Sequence, residues 1–542
     1  MLVVFPYIGS ECMSVAQLSS FLNREGIETR LAFEPNLFDD TKFLHMPSIP
    51  KLMRNTDRFA EHIVEQKPDV LAFSVLTLNF GWAMEVAEKV KQMIDVPIVF
   101  GGPHVQAMGK YVLSQPMVDF VILGEGEYAL TEFCQTLDQG VPDLSIKNLG
   151  YKKDGELHFN PVRPVIEDLD SLPFCDRTLW EPFEDYKESM LFLCGRGCVF
   201  KCSFCAHSFQ RDMYENKNRY VRFRSVDNVI AEMKMLVEKY NPKTFQIQDD
   251  IFMINKRFFL EFCERYPKEV GVPFQVTGYA SILREDIVKR LREAGCTFMQ
   301  VGVQTMNESN RHNILTRMET NEEVANVINW CRKHDMGISI DYIFFPWEAN
   351  VDDQLDAARF FQENRPSRIA NFFLTYLPGT TIINYAMKHG YIDEKHLDNI
   401  ANGREAYYHQ GGSMVQDKEK MTLFNNFYNF FLLLLIVPER FSEFLFKIKA
   451  YKYARFVPKT FMVVAKELIL PIFMPNLRHS PFLVKYFYYY TKNFKNFVLR
   501  RYTSPPGTAG GPRDDGFQLK PGSQGKNEAG NSLAAAKDVK AA

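Results

Sequence analysis

Two separate series of short apolar strands alternating with amphipathic helices constrain this chain more than any other feature of its sequence. In the first series, residues 1–145, strands are expected at 2–5, 28–33, 70–75, 97–100 and 120–123. Helical faces recur between them, as in Val15, Leu18, Phe21 and Leu22, stopped by Gly26. Such alternation predicts a parallel, doubly wound α/β sheet, which binds ligands at the carboxyl ends of its strands. Two glycine turns fall at such ends, Gly101-Gly102-Pro103-His104 and Gly124-Glu125-Gly126-Glu127. The need for glycine geometry explains either turn alone. Two at neighbouring strand ends point to a ligand site.

Residues 146–188 hold Gly150, Gly155, Pro161, Pro164 and Pro173 with weak periodicity, and read as a linker or lid. The second series spans 189–400, with strands expected at 191–194, 244–248, 273–277, 298–303, 338–344 and 369–375. Helices fill the gaps, for example at 226–240 and 285–294. Six such units predict a parallel (β/α)6 barrel, complete or partial. Strand signals stop beyond 400. Residues 401–502 read as a mainly helical region, basic and aromatic, and residues 503–542 as a disordered tail of Gly, Pro, Ser, Ala and Lys.

The chain has 542 residues, 46% apolar and 24% charged, which excludes a disordered chain, a collagen and a disulfide miniprotein. Its charge is divided unevenly. Residues 421–502 carry 13 Lys and Arg against 3 Asp and Glu, whereas residues 1–420 carry 46 against 59. The acidic body disfavours a nucleic-acid partner, because it would repel phosphates. The longest strictly apolar run, 430–437, is far short of the roughly 20 residues that span a bilayer. No signal peptide is read at the start, and ten cysteines in so long a chain do not form a disulfide framework. A cytoplasmic protein is expected. The basic aromatic stretch 421–502 has two readings: a helical cap with a solvated basic face, or peripheral attachment to the inner face of an anionic membrane.

The densest chemistry lies at Cys198-Val-Phe-Lys-Cys202-Ser-Phe-Cys205, on a glycine-containing loop after the first barrel strand. Three thiolates within eight residues can face one centre. They are one too few for a closed tetrahedral zinc site or a fully ligated cluster. A cubane held by three cysteines leaves one iron open to another ligand. Lysine and serine between the cysteines argue against three merely buried thiols. Zinc would need Cys194 as a fourth ligand, from within a strand.

At these residues the chain resembles the radical S-adenosylmethionine (radical SAM) superfamily, whose Cys-x3-Cys-x2-Cys motif Cys198, Cys202 and Cys205 meet, with Phe204 as the aromatic before the last cysteine. The resemblance implies a 4Fe-4S cluster that binds SAM through its open iron. It further implies cleavage to methionine and a 5′-deoxyadenosyl radical, with electrons from a donor such as flavodoxin or ferredoxin. It carries SAM contacts, less firmly, to Asp249 and Asp250 after the second barrel strand, Gln304 after the fourth and Glu348 after the fifth. Where relatives often have an arginine on the third strand, Gly278-Tyr279-Ala280-Ser281 stands here, so the partner of the SAM carboxylate is unassigned.

The amino-terminal domain resembles cobalamin-binding domains, in which a Ser-x-Leu precedes a Gly-Gly. Here these are Ser74, Leu76, Gly101 and Gly102, with His104 as a further pocket candidate. The family's first-loop histidine is missing from Tyr7-Ile8-Gly9-Ser10-Glu11-Cys12, so no cobalt ligand is expected there. The resemblance as a whole is to cobalamin-binding radical SAM enzymes. It implies methyl transfer to an unactivated carbon of a small-molecule or lipid substrate, through methylcobalamin, with a radical cyclase as the rival enzyme. A cofactor-binding module without catalysis is the rival of another class. Methylthiotransferases share the layout, but only Cys12 precedes Cys134 as a further cluster cysteine.

Overall fold

The computed structural model describes residues 1–37, 39–40, 44–45, 55–404, 411–457 and 482–509. Strands β1 (Leu2–Ile8), β2 (Glu28–Glu34), β3 (Val70–Ser74), β4 (Ile98–Gly101) and β5 (Phe120–Ile122) lie parallel in the order β2-β1-β3-β4-β5. Both faces are covered, so the strands read as nearly continuous apolar runs. The period of two still sorts the side chains: Val3 and Phe5 join one core cluster, Val4 the other. Helices Met13–Arg24 and Glu127–Asp138 cover the first face through Val15, Leu22, Leu130 and Phe133. Helices Thr56–Glu65, Phe80–Met93 and Pro103–Ser114 cover the second through Phe59, Phe80, Val86 and Val112. The order reverses between β1 and β3, which opens a crevice at the carboxyl ends of those strands.

The expected linker begins instead as a hairpin, β6 (Leu149–Lys153) and β7 (Glu156–Phe159), which adds antiparallel to β5. The turn Asp154-Gly155 joins it, and weak periodicity hid two short edge strands. Residues 160–188 cross to the second domain without regular strands. A buried knot ties them down: Arg177 Nη1 bonds Glu11 Oε1 at 2.7 Å, and Tyr186 Oη donates to the same oxygen at 2.8 Å.

The second sheet holds β8 (Met190–Phe192), β9 (Phe245–Ile247), β10 (Phe274–Gly278), β11 (Cys296–Gln304), β12 (Gly337–Phe344) and β13 (Arg368–Phe373). All six are parallel, in chain order from β8 to β13. The architecture is the expected partial barrel. Helix starts are locally encoded: Ser225, Asn255, Asn307, Thr320 and Asn350 each accept a capping bond from the first turn.

Helix Lys418–Ile436 packs across β12 and β13, with Phe424, Phe427, Phe430 and Phe431 fully buried. For this helix the cap reading holds. Helix Phe482–Val498 returns to the linker, where Asn493 Nδ2 donates to Phe183 O at 2.8 Å.

The tail does not begin at 503 as expected. Residues 502–508 run along β2, the edge of the first sheet. Phe33 N donates to Tyr502 O at 2.6 Å, Ser504 N to Leu31 O at 2.9 Å and Gly507 N to Thr29 O at 2.8 Å. Thr508 N donates to Asp176 Oδ2 at 2.7 Å. Low apolar content misled here because backbone bonds to an open strand edge need no side chains. The rest of the expected tail lies outside the described residues.

Ending the chain before Tyr502 removes these bonds and the burial of Tyr502 beside Phe59. Denaturant melts should show a loss of about 5–7 kcal/mol, at roughly 1 kcal/mol for each of the four bonds plus one aromatic side chain, together with faster aggregation through the bared edge.

Candidate active site

A cavity of about 480 Å³ lies where the carboxyl ends of the first sheet meet the loop that follows β8. Ser14, Ser74, Gly101, Gly102 and Gln106 line it from the first domain. Gly195, Arg196, Gly197, His207, Tyr220 and Asp250 line it from the second. Leu169, Leu172 and Pro173 of the crossing segment close one side. The cavity sits at the β1/β3 reversal, where Ser14 Oγ and Ser74 Oγ are 3.4 Å apart.

Gly102 has φ +98°, and a Cβ there would lie 2.7 Å from the backbone N and O of Val75. The turn therefore lets β3 and β4 end almost in contact and leaves a side-chain-free floor. At Gly101 the nearest atom to an added Cβ is 3.8 Å away. Two of the expected pocket residues lie elsewhere. Leu76 is 47% exposed, outside the lining. His104 is buried on the opposite face, its ring 4.3 Å from that of Phe80 and Nδ1 3.1 Å from Thr77 Oγ1. The second position of helix Pro103–Ser114 faces that core, and burial lowers the His104 pKa to about 4. No imidazole is present in the first loop, residues 7–12. The glycine floor at the switch point fits a bulky planar group lying on backbone.

The second turn expected to bind a ligand does something else as well. Glu125 and Glu127 reach across to the barrel. Arg196 pairs with Glu125 at 2.8 Å and with Glu127 at 2.6 Å, and Arg222 pairs with Glu125 at 3.0 Å. Burial opposes the charge on Glu125, yet the two guanidiniums hold its pKa below the usual carboxylate range. Gly195-Arg196-Gly197 directly precedes Cys198, so this network fixes the cysteine loop against the first domain. The arginine between two glycines was a readable signal; its partners were not.

Cys198, Cys202 and Cys205 are neighbours: Cys202 and Cys205 both act on the charge of Cys198, and Cys202 on that of Cys205. Ser203 anchors their loop: its N–H donates to Leu315 O at 3.1 Å, its Oγ to Ile314 O at 2.6 Å, and its carbonyl accepts from Ile382 N at 3.0 Å. Phe204 is half-buried against the core. Burial pushes the Cys198 thiol up to about 12 and Cys205 up to about 11, and raises Cys202. A bound cation would reverse this. Smaller contributions oppose the shift: the N–H groups of Phe200 and His207 donate to Cys198 and Cys205. Arg317 Nη1 lies 3.6 Å from Cys202 Sγ.

Among the described residues no three His, Cys, Asp or Glu side chains converge as one metal ion requires. A cluster instead places each thiolate on a different iron, so the donor set fits a multi-iron group. Cys194, the fourth ligand of a zinc site, is fully buried and has Asp249, Arg224 and Glu232 as its charged neighbours.

The two aspartates after β9 diverge. Asp249 is buried; its Oδ2 accepts from Cys194 N at 2.8 Å, and burial raises its pKa to about 7. Asp250 opens to the cavity beside Cys198 and Cys205, with His207 Nε2 at 3.0 Å. Both line the cavity, and of the two Asp250 is the more exposed, held by His207. His207 Nδ1 in turn lies 2.7 Å from Tyr220 Oη. His207 carries no family signal in the sequence.

Gln304 closes β11 with φ +74°, a left-handed conformation rare for a side-chain-bearing residue, at a register shift between Gly302 and Gln304. Such strain collects at functional sites. Glu348 is not open to the cavity. It accepts from Thr305 Oγ1 and Asn310 Nδ2, each at 2.8 Å, and burial raises its pKa to about 7. Arg317, unnoticed in the sequence, projects from the loop after helix Glu308–Asn313. It stacks on Tyr279 at 4.2 Å and pairs with Glu319 at 2.6 Å. It stands over the third-strand position where the expected arginine is missing.

Comparison with known proteins agrees with this geometry. Residues 192–361 match the model of the Radical SAM superfamily, and residues 15–134 that of the B12 binding domain. The barrel thus carries a radical SAM domain and the amino-terminal sheet a B12 binding domain. An uncharacterised methyltransferase of Pyrococcus horikoshii is 27% identical over 339 residues, 60% of this chain and 71% of that one. The anaerobic magnesium-protoporphyrin IX monomethyl ester cyclase of Rubrivivax gelatinosus is 30% identical over 264 residues, 46% of each chain. The chain therefore spans about half of that cyclase. The solved structure of the cobalamin-dependent radical enzyme OxsB shares the fold, with TM-score 0.58 at 13% identity, over 92% of this chain and 80% of that one. TsrM from Kitasatospora setae gives 0.56 at 15%, over 71% and 76%.

Two expectations follow. Gly102→Ala should lose cobalamin retention, measured by absorbance after reconstitution and desalting, because the added Cβ clashes with the Val75 backbone and moves the floor of the cavity. The second expectation concerns pH. The raised Glu348 pKa means that stability falls as pH rises from the ordinary 4.5 to about 7, because ionisation costs more in the fold than in the unfolded chain. Glu348→Gln should flatten that part of the melting-temperature profile, a difference of about 3 kcal/mol at most.

Proposed function

We propose that this chain is a cobalamin-dependent radical SAM methyltransferase acting on an unactivated carbon of a small-molecule or lipid substrate. Electrons would come from a flavodoxin- or ferredoxin-type donor, and the protein would make peripheral contact with a membrane. The observation that carries the reading is the shared cavity. The glycine floor of the B12 binding domain and the loop leading into the three cysteines open on one space.

When bound, the cluster and SAM supply a 5′-deoxyadenosyl radical, and cobalamin supplies a transferable methyl group. A polar methyl transfer cannot attack an inert carbon, which is why both belong in one cavity. The protein's part is placement. Cys198, Cys202 and Cys205 would hold the cluster, with Ser203 and Arg317 fixing their loop. Asp250 offers a carboxylate to the SAM ammonium. Gly101 and Gly102 provide the floor for cobalamin, and the crossing segment 169–173 walls off water.

A second reading, a radical cyclase, is favoured by the 30% identity to the Rubrivivax cyclase. Incubation with labelled SAM separates the two: methyl transfer leaves label in product, cyclisation does not. Among the described residues no helix is long and apolar enough to cross a membrane.

Cys202→Ala should abolish iron and sulfide uptake on anaerobic reconstitution and all SAM cleavage, while cobalamin binding persists. Retained cleavage would defeat the assignment.

A further inference from the structure

Phe441, Phe444, Ile448, Tyr453 and Phe456 are 50, 57, 50, 63 and 70% exposed, all within residues 441–456. Lys447, Lys449, Lys452 and Arg455 stand exposed among them. On helix Glu439–Lys447 and its last turn the spacing of Phe441, Phe444 and Ile448 sets the three on one face. Arg440 and Arg455 lie over the rings of Phe441 and Phe456, at 5.2 and 5.0 Å.

This exposure does not come from loose packing. Phe446, on the other face of the helix, is buried 5.2 Å from the ring of Phe430. Glu443 Oε1 accepts from Arg359 at 2.6 Å and from Gln362 at 2.8 Å. Tyr451 stacks on Phe427 at 5.3 Å, and Asn429 Nδ2 donates to Ala454 O at 2.9 Å and Val457 O at 2.8 Å. The barrel cap thus holds five apolar side chains outward in a frame of cations.

We infer that residues 439–456 form a docking face for an anionic lipid surface, with the rings at the boundary between headgroups and acyl chains. The charge decides the occupant. A second copy meeting the same face would set cation against cation, whereas an anionic interface complements both the rings and the lysines. The inference deepens the membrane contact in the proposed function and rests on it, but not on methyl transfer.

The test uses the full chain with vesicles of phosphatidylcholine alone or mixed equally with phosphatidylglycerol. At low salt the protein should co-sediment with the mixed vesicles only, and added salt should release it. The triple change Lys447→Gln, Lys449→Gln and Lys452→Gln should weaken binding about a hundredfold, at about fivefold for each lysine charge removed. Phe444→Ser with Phe456→Ser should also lose binding, and unchanged iron and cobalamin content would show that both variants fold. No binding by the unaltered protein would overturn the membrane contact itself. Equal binding by all three proteins would overturn this face as its site. A dimer that Phe444→Ser with Phe456→Ser abolishes would assign the face to a second copy instead. SAM cleavage by the same preparations reports separately on the proposed reaction.

Discussion

The ion-pair network of Glu125, Glu127, Arg196 and Arg222 is the constraint on which the site depends. It joins the end of β5 to the residue pair before Cys198, so it sets the separation of the two halves of the cavity. Buried pairs of this kind add little net stability, since desolvation offsets most of the attraction. Losing one partner is another matter, costing about 3–5 kcal/mol because a charge is left buried and unpaired. The network therefore acts as a spacer between the two domains. Under the proposed reaction the residues of the two halves would have to stay in register, since small misplacements cost large factors in rate.

The barrel strand ends carry their own reserve of strain and unfavourable burial. Asp249 and Glu348 both sit where ionisation is disfavoured, and Gln304 holds a left-handed backbone. None of the three makes the fold more stable. Asp249 ties the start of the cysteine loop through Cys194 N, and Glu348 ties the ends of β11 and β12 through Thr305 and Asn310. They position loops, while Asp250 and His207 are left to face the cavity.

The carboxyl-terminal region closes the molecule in two different ways. Helix Lys418–Ile436 buries its phenylalanines on the open side of the barrel. Residues 502–508 satisfy the edge of β2 with backbone bonds. The first uses apolar area and the second hydrogen bonds, which is why composition revealed one and concealed the other.

The sequence by itself determined the two α/β series, the order of the domains and the cysteine loop, because each rests on local pattern. Strand–helix period, capping residues such as Asn307 and Thr320, and the spacing of Cys198, Cys202 and Cys205 are short-range signals. The need for glycine at Gly102 was legible for the same reason, since a side chain there would meet the Val75 backbone. Tertiary structure decided what spacing cannot encode. It sent His104 to the opposite face, separated Asp249 from Asp250, and brought Arg317 to Cys202 across 115 positions of chain. It also split the basic aromatic region, burying Phe427 and Phe430 while leaving Phe444 and Phe456 exposed. Those outcomes depend on which surfaces meet, and no run of neighbouring residues carries that information.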